Sequence, residues 1–388
     1  MTNSHIAQKR LVFSFSYSNS IINLRGELIR ELSEKYLVSV ITPPIKDNYT
    51  RAILIDWGVD IIEIKMRPNK ISIFSDINYI FQLRKVIKKL KPYLFFAYTM
   101  KPIIYGNFAA WGCGVKKVAC QFTGLGFMFR EVEYTSFLQN LFRGLMKISL
   151  SVNKSTIIFF QNKDDYKELH NNGILSKKCR IRIVNGSGIN LDTFCYNKPN
   201  ITKISFLMIA RLVKSKGIKE FYESAKIVKS RYPEVEFHLI GDYDAKGTDS
   251  IPTILFRKIV NNRVIKYHGW LTDVRPLIIN SSVVVLPSYR EGVPRSSLEA
   301  MAIGRALITT NAIGCKETIL SIPGKANGFM VKPGTIESLV EKMEFFILNP
   351  KKIIEYGVNS REFVSERFEI NKVNGYIIKE LALDTPIF

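Results

Sequence analysis

The stretch SSVVVLPSYREGVPRSSLEAMAIGRALITT, residues 281–310, decides the fold. Ser282–Leu286 is a short apolar run bounded by Pro287 and reads as a buried strand. Pro294–Ala302 reads as a helix and Ala306–Thr309 as the next strand. Strand, helix and strand in so little chain make a βαβ unit, whose strands run parallel.

The same alternation recurs on both sides. Ile336–Phe346 is a late helix, and Ile204–Ile209 and Val235–Ile240 are strands. Between those two, Ile218, Phe221, Tyr222, Ala225 and Val228 recur at helical spacing. Further strands are expected at Leu11–Ser16, Leu37–Thr42, Tyr93–Tyr98, Lys117–Phe122 and Thr156–Gln161. Helices are expected at Leu24–Lys35, Asp76–Leu90, Phe137–Ser151 and Asp164–Asn171. Val184–Phe194 is rich in glycine and asparagine, lacks periodicity and reads as a linker. At roughly 150 residues per domain, 388 residues favour two domains. The expected class is α/β, with two Rossmann-like, doubly wound domains at 1–186 and 187–365. Residues 366–388 form a C-terminal helix crossing back to the first. Such sheets bind ligands outside the carboxyl ends of their strands.

Hydrophobic residues make up 46% and charged residues 23%, as in an ordinary globular protein. The net charge of +22 is concentrated early: residues 1–200 hold 29 Lys and Arg against 14 Asp and Glu. A basic half implies an acidic partner, whether nucleic acid, anionic lipid or phosphate. No RNA or DNA motif supports nucleic acid, so it is not expected as a partner. The cysteines, Cys113, Cys120, Cys179, Cys195 and Cys315, form no C-x-x-C pair. They suggest neither a zinc site nor a disulfide framework, and a reducing setting fits. The polar start, Met1–Arg10, does not read as a signal peptide. No uninterrupted apolar run reaches membrane-spanning length. A cytoplasmic protein touching a membrane at its surface is expected.

Two motifs carry chemistry. In IARLVKSKG, Ile209–Gly217, a strand ends and a loop bearing Arg211, Lys214 and Lys216 leads into a helix. Cations beside the free N–H groups of a helix N-terminus suit a diphosphate. In the second motif Glu291 lies in the strand-to-helix loop and Glu299 inside the helix. The pair can grip hydroxyl groups of one extended ligand, Glu291 a sugar and Glu299 a ribose. The Gly292 and Val293 amides add donors for phosphate. Asp242-Tyr243-Asp244 looks like a metal-binding D-x-D but reads as turn chemistry, so neither a metal nor a cofactor is expected.

The segment Ser288–Ala306 resembles the E-x(7)-E motif of retaining GT-B glycosyltransferases of family 4. Arg211 and Lys216 match that family's phosphate-binding Arg and Lys. Gly241 in HLIGDYD, His268 in KYHGW, the loop Asn311–Thr318 and Asn327–Pro333 match its donor-domain landmarks. The resemblance implies two domains facing across a cleft. It also implies a donor site of Arg211, Lys216, Gly241, His268, Glu291, Gly292, Val293, Leu298 and Glu299, with Glu291, Arg211 and Lys216 catalytic. In the first half, YTMKPIIYG (98–106), TGLGF (123–127) and FQNKDD (160–165) are similar to one branch. Its members are N-acetylgalactosaminyltransferases acting on polyprenyl-diphosphate-linked sugars in O-antigen and protein-glycan assembly. This implies a UDP-sugar donor, UDP-GalNAc or a close UDP-hexose, and a lipid-linked acceptor. Three departures stand out. The first strand-to-helix loop has Tyr17-Ser18-Asn19-Ser20 in place of Gly-Gly. No histidine falls at Thr123-Gly124. Pro294, which has no N–H to donate, interrupts the usual E-G-F-G.

A diphosphate acceptor with a greasy tail needs cations beside apolar surface. Asp76–Lys91 mixes Arg84, Lys85, Lys88 and Lys89 with Ile80, Phe81 and Leu83, and Phe137–Ser151 mixes Arg143 and Lys147 with Leu141, Phe142 and Met146. Basic amphipathic helices of this kind lie at an anionic membrane surface, here the cytoplasmic face of the inner membrane. Lys101, Thr123, Arg143 and Lys147 are the expected acceptor contacts, with Arg130 in the same region. The alternative activity for this architecture is a non-hydrolysing UDP-sugar 2-epimerase, for which those helices would be idle.

Overall fold

The computed structural model describes residues 9–66, 73–126, 137–153, 156–245, 247 and 249–383. Phe127 and Arg130 lie outside them. The chain divides into two compact units, residues 1–184 with 374–388, and residues 185–373. Residues 366–373 therefore stay with the second unit, because backbone bonds join Ile189 to Phe368 and Ile370. The stretch read as a linker is thus partly core: Ile189 is fully buried.

The first unit contains β1 (Arg10–Ser14), α1 (Ser20–Ser33), β2 (Leu37–Thr42), α2 (Asn48–Asp56), β3 (Asp60–Glu63), α3 (Ile73–Leu90) and β4 (Leu94–Tyr98). It continues with α4 (Met100–Gly112), β5 (Lys117–Phe122), α5 (Phe137–Val152), β6 (Ile157–Phe160), α6 (Lys163–Asn171) and β7 (Arg180–Ile183). The strands pair in the order β3-β2-β1-β4-β5-β6-β7, all parallel. Strands covered on both faces read as unbroken apolar runs, and all five residues of β4 are buried. Phe13, Phe96, Tyr98 and Phe159 pack ring against ring along one face. Val12, Phe95, Ala97 and Cys120 join the core on the other.

The second unit contains β8 (Ser205–Ile209), α7 (Ile218–Arg231), β9 (Glu236–Ile240), α8 (Thr253–Asn261), β10 (Lys266–Tyr267), α9 (Arg275–Ile279) and β11 (Val283–Leu286). Then come α10 (Arg295–Ile303), β12 (Ala306–Thr310), β13 (Gly328–Val331), α11 (Ile336–Leu348) and α12 (Pro350–Arg367). The order is β10-β9-β8-β11-β12-β13, again parallel. Strand order thus reverses between β1 and β4 in one sheet and between β8 and β11 in the other. At such switch points adjacent loops diverge and leave a crevice at the carboxyl ends.

The last helix, α13 (Ile370–Leu381), enters the first unit from Asn374 onward. Lys9 and Lys117 flank the Tyr93 ring at 4.5 and 5.1 Å. Their ammonium groups each donate at 2.5 Å to a carbonyl beyond the helix, Leu383 and Ala382 respectively. Arg182 of β7 pairs with Glu380. The C-terminal end of the helix therefore lies beside cations, as its dipole favours.

A second polar node lies between α3 and α4. The Lys101 ammonium sits 2.6 Å from Asp76 Oδ1, and the Tyr105 hydroxyl donates to Oδ2 at 2.9 Å. Both charges are almost wholly buried, so each depends on the other for the solvation it has lost. Removing one partner of such a pair costs about 3–5 kcal/mol. Asp76→Ala is therefore expected to lower urea-unfolding stability by that amount, and Asp76→Ala with Lys101→Met to lose less than Asp76→Ala alone.

Candidate active site

Both motif loops flank the switch point of the second sheet. After β8 the chain runs through Arg211 into a 3-10 turn, Lys214–Lys216, and Gly217 opens α7. Gly217 has φ +74, and a Cβ there would lie 2.2 Å from the Pro287 carbonyl oxygen. That close approach docks the first loop on the second, and Tyr289 N–H donates to the Ser215 carbonyl at 2.9 Å. The Ser215 hydroxyl bonds the Asp249 carboxylate, and Lys214 N–H donates to the Asp249 carbonyl at 2.7 Å.

This docking brings Lys216 into an ion pair with Glu291. Ser288 adds a hydroxyl donor to the same oxygen, Oε1, at 2.8 Å. Both side chains of the pair are mostly shielded, with 19% and 13% of their surface exposed. Their attraction is therefore screened less by water than that of a surface pair. Arg211, in the same loop as Lys216, is exposed and has no ion-pair partner among the described residues.

The Glu291 loop is itself held by backbone. Glu291 N–H donates to the Ile313 carbonyl at 2.9 Å. Gly314, at φ +79, passes so close that a Cβ would lie 2.2 Å from the carbonyl oxygens of Glu291 and Gly292. Cys315 is fully buried behind the loop, and burial, with the nearby Glu291 charge, pushes its thiol up to about 12. It is therefore neutral and inert.

Helix α10 begins with no side-chain cap, and the buried Ser297 hydroxyl in its first turn has no hydrogen-bond partner among the described residues. Gly292 and Val293 are buried just before it. Glu299 is reached by Arg295 Nε at 2.9 Å, one turn earlier. Burial pushes the Glu299 carboxyl up, and Arg295 opposes that. Leu298 is a correction: it is fully buried in the core, and its amide donates to the Pro294 carbonyl, so neither group faces a ligand.

At the edge of the sheet Gly241 N–H donates to the Gly269 carbonyl at 2.8 Å, and Tyr267 donates to the Gly241 carbonyl. His268 bonds His238 ring to ring at 3.0 Å. Burial lowers both imidazole pKa values; the mutual proximity of the two rings adds to this for His238, and Lys266 for both. Glu236, which bonds Lys203 and Lys266, lies 3.4 Å from His238 and opposes the trend there. Tyr243 of the D-x-D lookalike stacks on Phe256 of α8, with ring centroids 3.9 Å apart.

In the first unit, the Thr99 hydroxyl meets Ser16 at 2.5 Å across the β1–β4 switch point. Thr123 is half-buried at the end of β5, Arg143 half-buried and Lys147 exposed on α5. Lys101 is the other correction: it is buried, and its charge is held by Asp76. Helix α3 packs through Asp76, Tyr79, Leu83 and Ile87, and turns outward a stripe of Phe74, Ile77 and Phe81 followed by Arg84, Lys85 and Lys88. Phe74 is 88% exposed and Phe81 65%. No helix among the described residues is long and apolar enough to cross a membrane.

The sequence reading missed Ser288, Arg295, His238 and Asp249. Arg295 carried a legible signal, a cation four residues from a glutamate on one helix face. Ser288 and Asp249 carried none.

Residues 15–162 match the family model "Glycosyl transferase 4-like", and residues 196–363 match "Glycosyl transferases group 1". The chain is 28% identical to the N,N'-diacetylbacillosaminyl-diphospho-undecaprenol alpha-1,3-N-acetylgalactosaminyltransferase of Campylobacter jejuni, over 91% of this chain and 93% of that one. It is 25% identical to the UDP-Gal:alpha-D-GlcNAc-diphosphoundecaprenol alpha-1,3-galactosyltransferase of Escherichia coli, over 82% of each. Among solved structures, Anabaena HepE in complex with UDP and glucose superposes with a TM-score of 0.75 at 15% identity, over 97% of this chain and 99% of that one. That likeness shows the fold, GT-B, with its two parallel-sheet α/β domains.

Two outcomes are expected from this geometry. Gly314→Ala adds a left-handed backbone penalty of about 1–2 kcal/mol to the collision with Glu291 and Gly292, and should lower the thermal midpoint of the second unit. The His238–His268 pair favours neutral rings, so its stabilisation is whole above the ordinary imidazole value of 6.5 and is lost as pH falls below it. Urea midpoints measured from pH 7 to 5 should drop, and His268→Gln should flatten the drop.

Proposed function

We propose that this chain, which belongs to the glycosyltransferases in both of its units, moves a hexosyl group from a UDP-sugar onto a polyprenyl-diphosphate-linked sugar. The observation that carries this is the meeting of Lys216 and Glu291 at the switch point, with Arg211 exposed in the loop that bears Lys216 and the uncapped start of α10 following the loop that bears Glu291. Two cations and free helix N–H groups fit a diphosphate. A mostly shielded carboxylate fits the sugar next to it. Anabaena HepE, of the same fold, was solved with UDP-glucose, and the E. coli relative's name gives UDP-Gal as its donor.

The donor we favour is UDP-GalNAc, following the Campylobacter relative. The product belongs to surface polysaccharide or glycan assembly, a reading supported by the capsular polysaccharide enzyme CapM of Staphylococcus aureus, 25% identical over 90% of this chain. Transfer retains configuration. The bond from C1 to the UDP oxygen breaks as the acceptor oxygen bonds C1 on the same face, and the acceptor's proton passes to the leaving diphosphate. Negative charge grows on that diphosphate, where Arg211 and Lys216 stabilise it electrostatically. Glu291 orients the hexose, and Glu299, shared with Arg295, holds the ribose. The two side-chain cations already offset the diphosphate, so the mechanism uses no metal and no cofactor.

The acceptor's lipid tail keeps it in a membrane. The apolar-then-cationic stripe on α3, with exposed Leu141, Lys147 and Ile148 on α5, suits an anionic bilayer surface at the cytoplasmic face. Thr123, Arg143 and Lys147 are our proposed acceptor contacts.

Glu291→Ala should abolish transfer while the protein still folds, as a cooperative thermal transition would show. Arg211→Ala should weaken UDP binding by more than about tenfold, the scale of a charge-assisted hydrogen bond, read by calorimetry. UDP release from UDP-GalNAc should require polyprenyl-diphosphate-GlcNAc. Epimerised UDP-sugar formed without acceptor would instead establish a 2-epimerase. Phe81→Ser should reduce flotation with anionic liposomes, and unchanged flotation would remove α3 from the membrane surface.

A further inference from the structure

We infer that Ser288 is the positioning residue of the sugar-reading carboxylate, and that its hydroxyl sets which hexose epimer the enzyme accepts. The inference rests on the reading of Glu291 given above. Two donors converge on one oxygen of that carboxylate: Ser288 Oγ at 2.8 Å and the Lys216 ammonium. Oε2 takes no hydrogen bond from any described residue, so it is the oxygen left for a ligand hydroxyl. Which way Oε2 points is fixed by what holds Oε1.

Lys216 is a poor sole guide. Its ammonium ends a flexible four-carbon stem, and the donor's diphosphate draws on the same charge once bound. Ser288 has one side-chain torsion and no solvent exposure. Its peptide is clamped from behind: its carbonyl accepts from the Thr310 hydroxyl at 2.5 Å and from Cys315 Sγ at 3.8 Å. Thr310 ends β12, and Cys315 opens a 3-10 turn whose preceding residue, Gly314, presses on the Glu291 and Gly292 carbonyls. The hydroxyl of Ser288 is thus attached to the sheet itself, and Glu291 inherits that rigidity through one short bond. Hexose epimers differ in the direction of a single hydroxyl. A site reads such a difference only if its acceptor is fixed, because an acceptor that can follow the hydroxyl meets either epimer.

The test compares Ser288→Ala and Ser288→Cys, the latter close in size but a weak donor, with wild type. The probes are UDP-GalNAc and UDP-GlcNAc with a polyprenyl-diphosphate-GlcNAc acceptor. Thermal midpoints establish folding, and the cysteine variant answers the question if the alanine variant does not fold. Both variants should bind UDP as wild type does and lose about ten- to a hundredfold in kcat, the scale of a misplaced contact. The ratio of kcat/KM between the two donors should collapse toward unity. Loss of stability alone would lower active concentration and leave that ratio unchanged. Folded variants that keep the wild-type ratio, whatever their kcat, would overturn the assignment of Ser288. Full activity of Glu291→Gln would instead overturn the underlying reading of the site.

Discussion

Backbone pressed against backbone is the constraint on which this molecule's chemistry depends. In the second unit, the loops that follow three neighbouring strands meet at distances that exclude a Cβ, with Gly217 against Pro287 and Gly314 against Glu291 and Gly292. These contacts have no rotamers to relax into. A side chain rooted in such a frame, as Glu291 is, has its position set by peptide geometry rather than by surface packing. Parallel pairing supplies the rest, because it delivers every strand-to-helix loop to one edge of the sheet.

The two units divide the physical work between them. The second gathers short polar bonds: a carboxylate with two donors, a buried glutamate with an arginine, a pair of histidines. The first is the more basic one, and its exposed helices mix aromatic and aliphatic side chains with lysine and arginine. One chain carries these unlike surfaces by repeating a single sheet topology.

Much of this was legible in the sequence. The central strands β4, β5, β8, β11 and β12 are runs of apolar residues that read as strands at once, and their helices follow from periodicity. The elements that escaped share physical reasons. β3 and β7, Asp-Ile-Ile-Glu and Arg-Ile-Arg-Ile, are four-residue edge strands whose charged ends look like loop. α4 is buried nearly all round and carries Pro102 in its first turn, so it shows no amphipathic period. In the candidate site, loop position and charge type are what single out Glu291, Arg211 and Lys216 in the sequence, and the structure brings Lys216 and Glu291 together. Ser288 was not, since a serine after a strand is commonplace until its partner is seen. Leu298 and Lys101 were misjudged for one reason: neighbours in a motif share its spacing, but burial decides which of them face outward.

The clasp around Tyr93 bears on how the chain comes into being. Lys9, near the start, and Lys117 hold carbonyls at positions 383 and 382, so the first unit is finished by the last helix. Residues 185–373, by contrast, are contiguous. On a ribosome, where domains ordinarily mature from the N-terminus onward, the order here is inverted. The second unit has all its segments while the first still awaits its closing piece. The more basic unit therefore stays incomplete until the segment from Asn374 onward has been made.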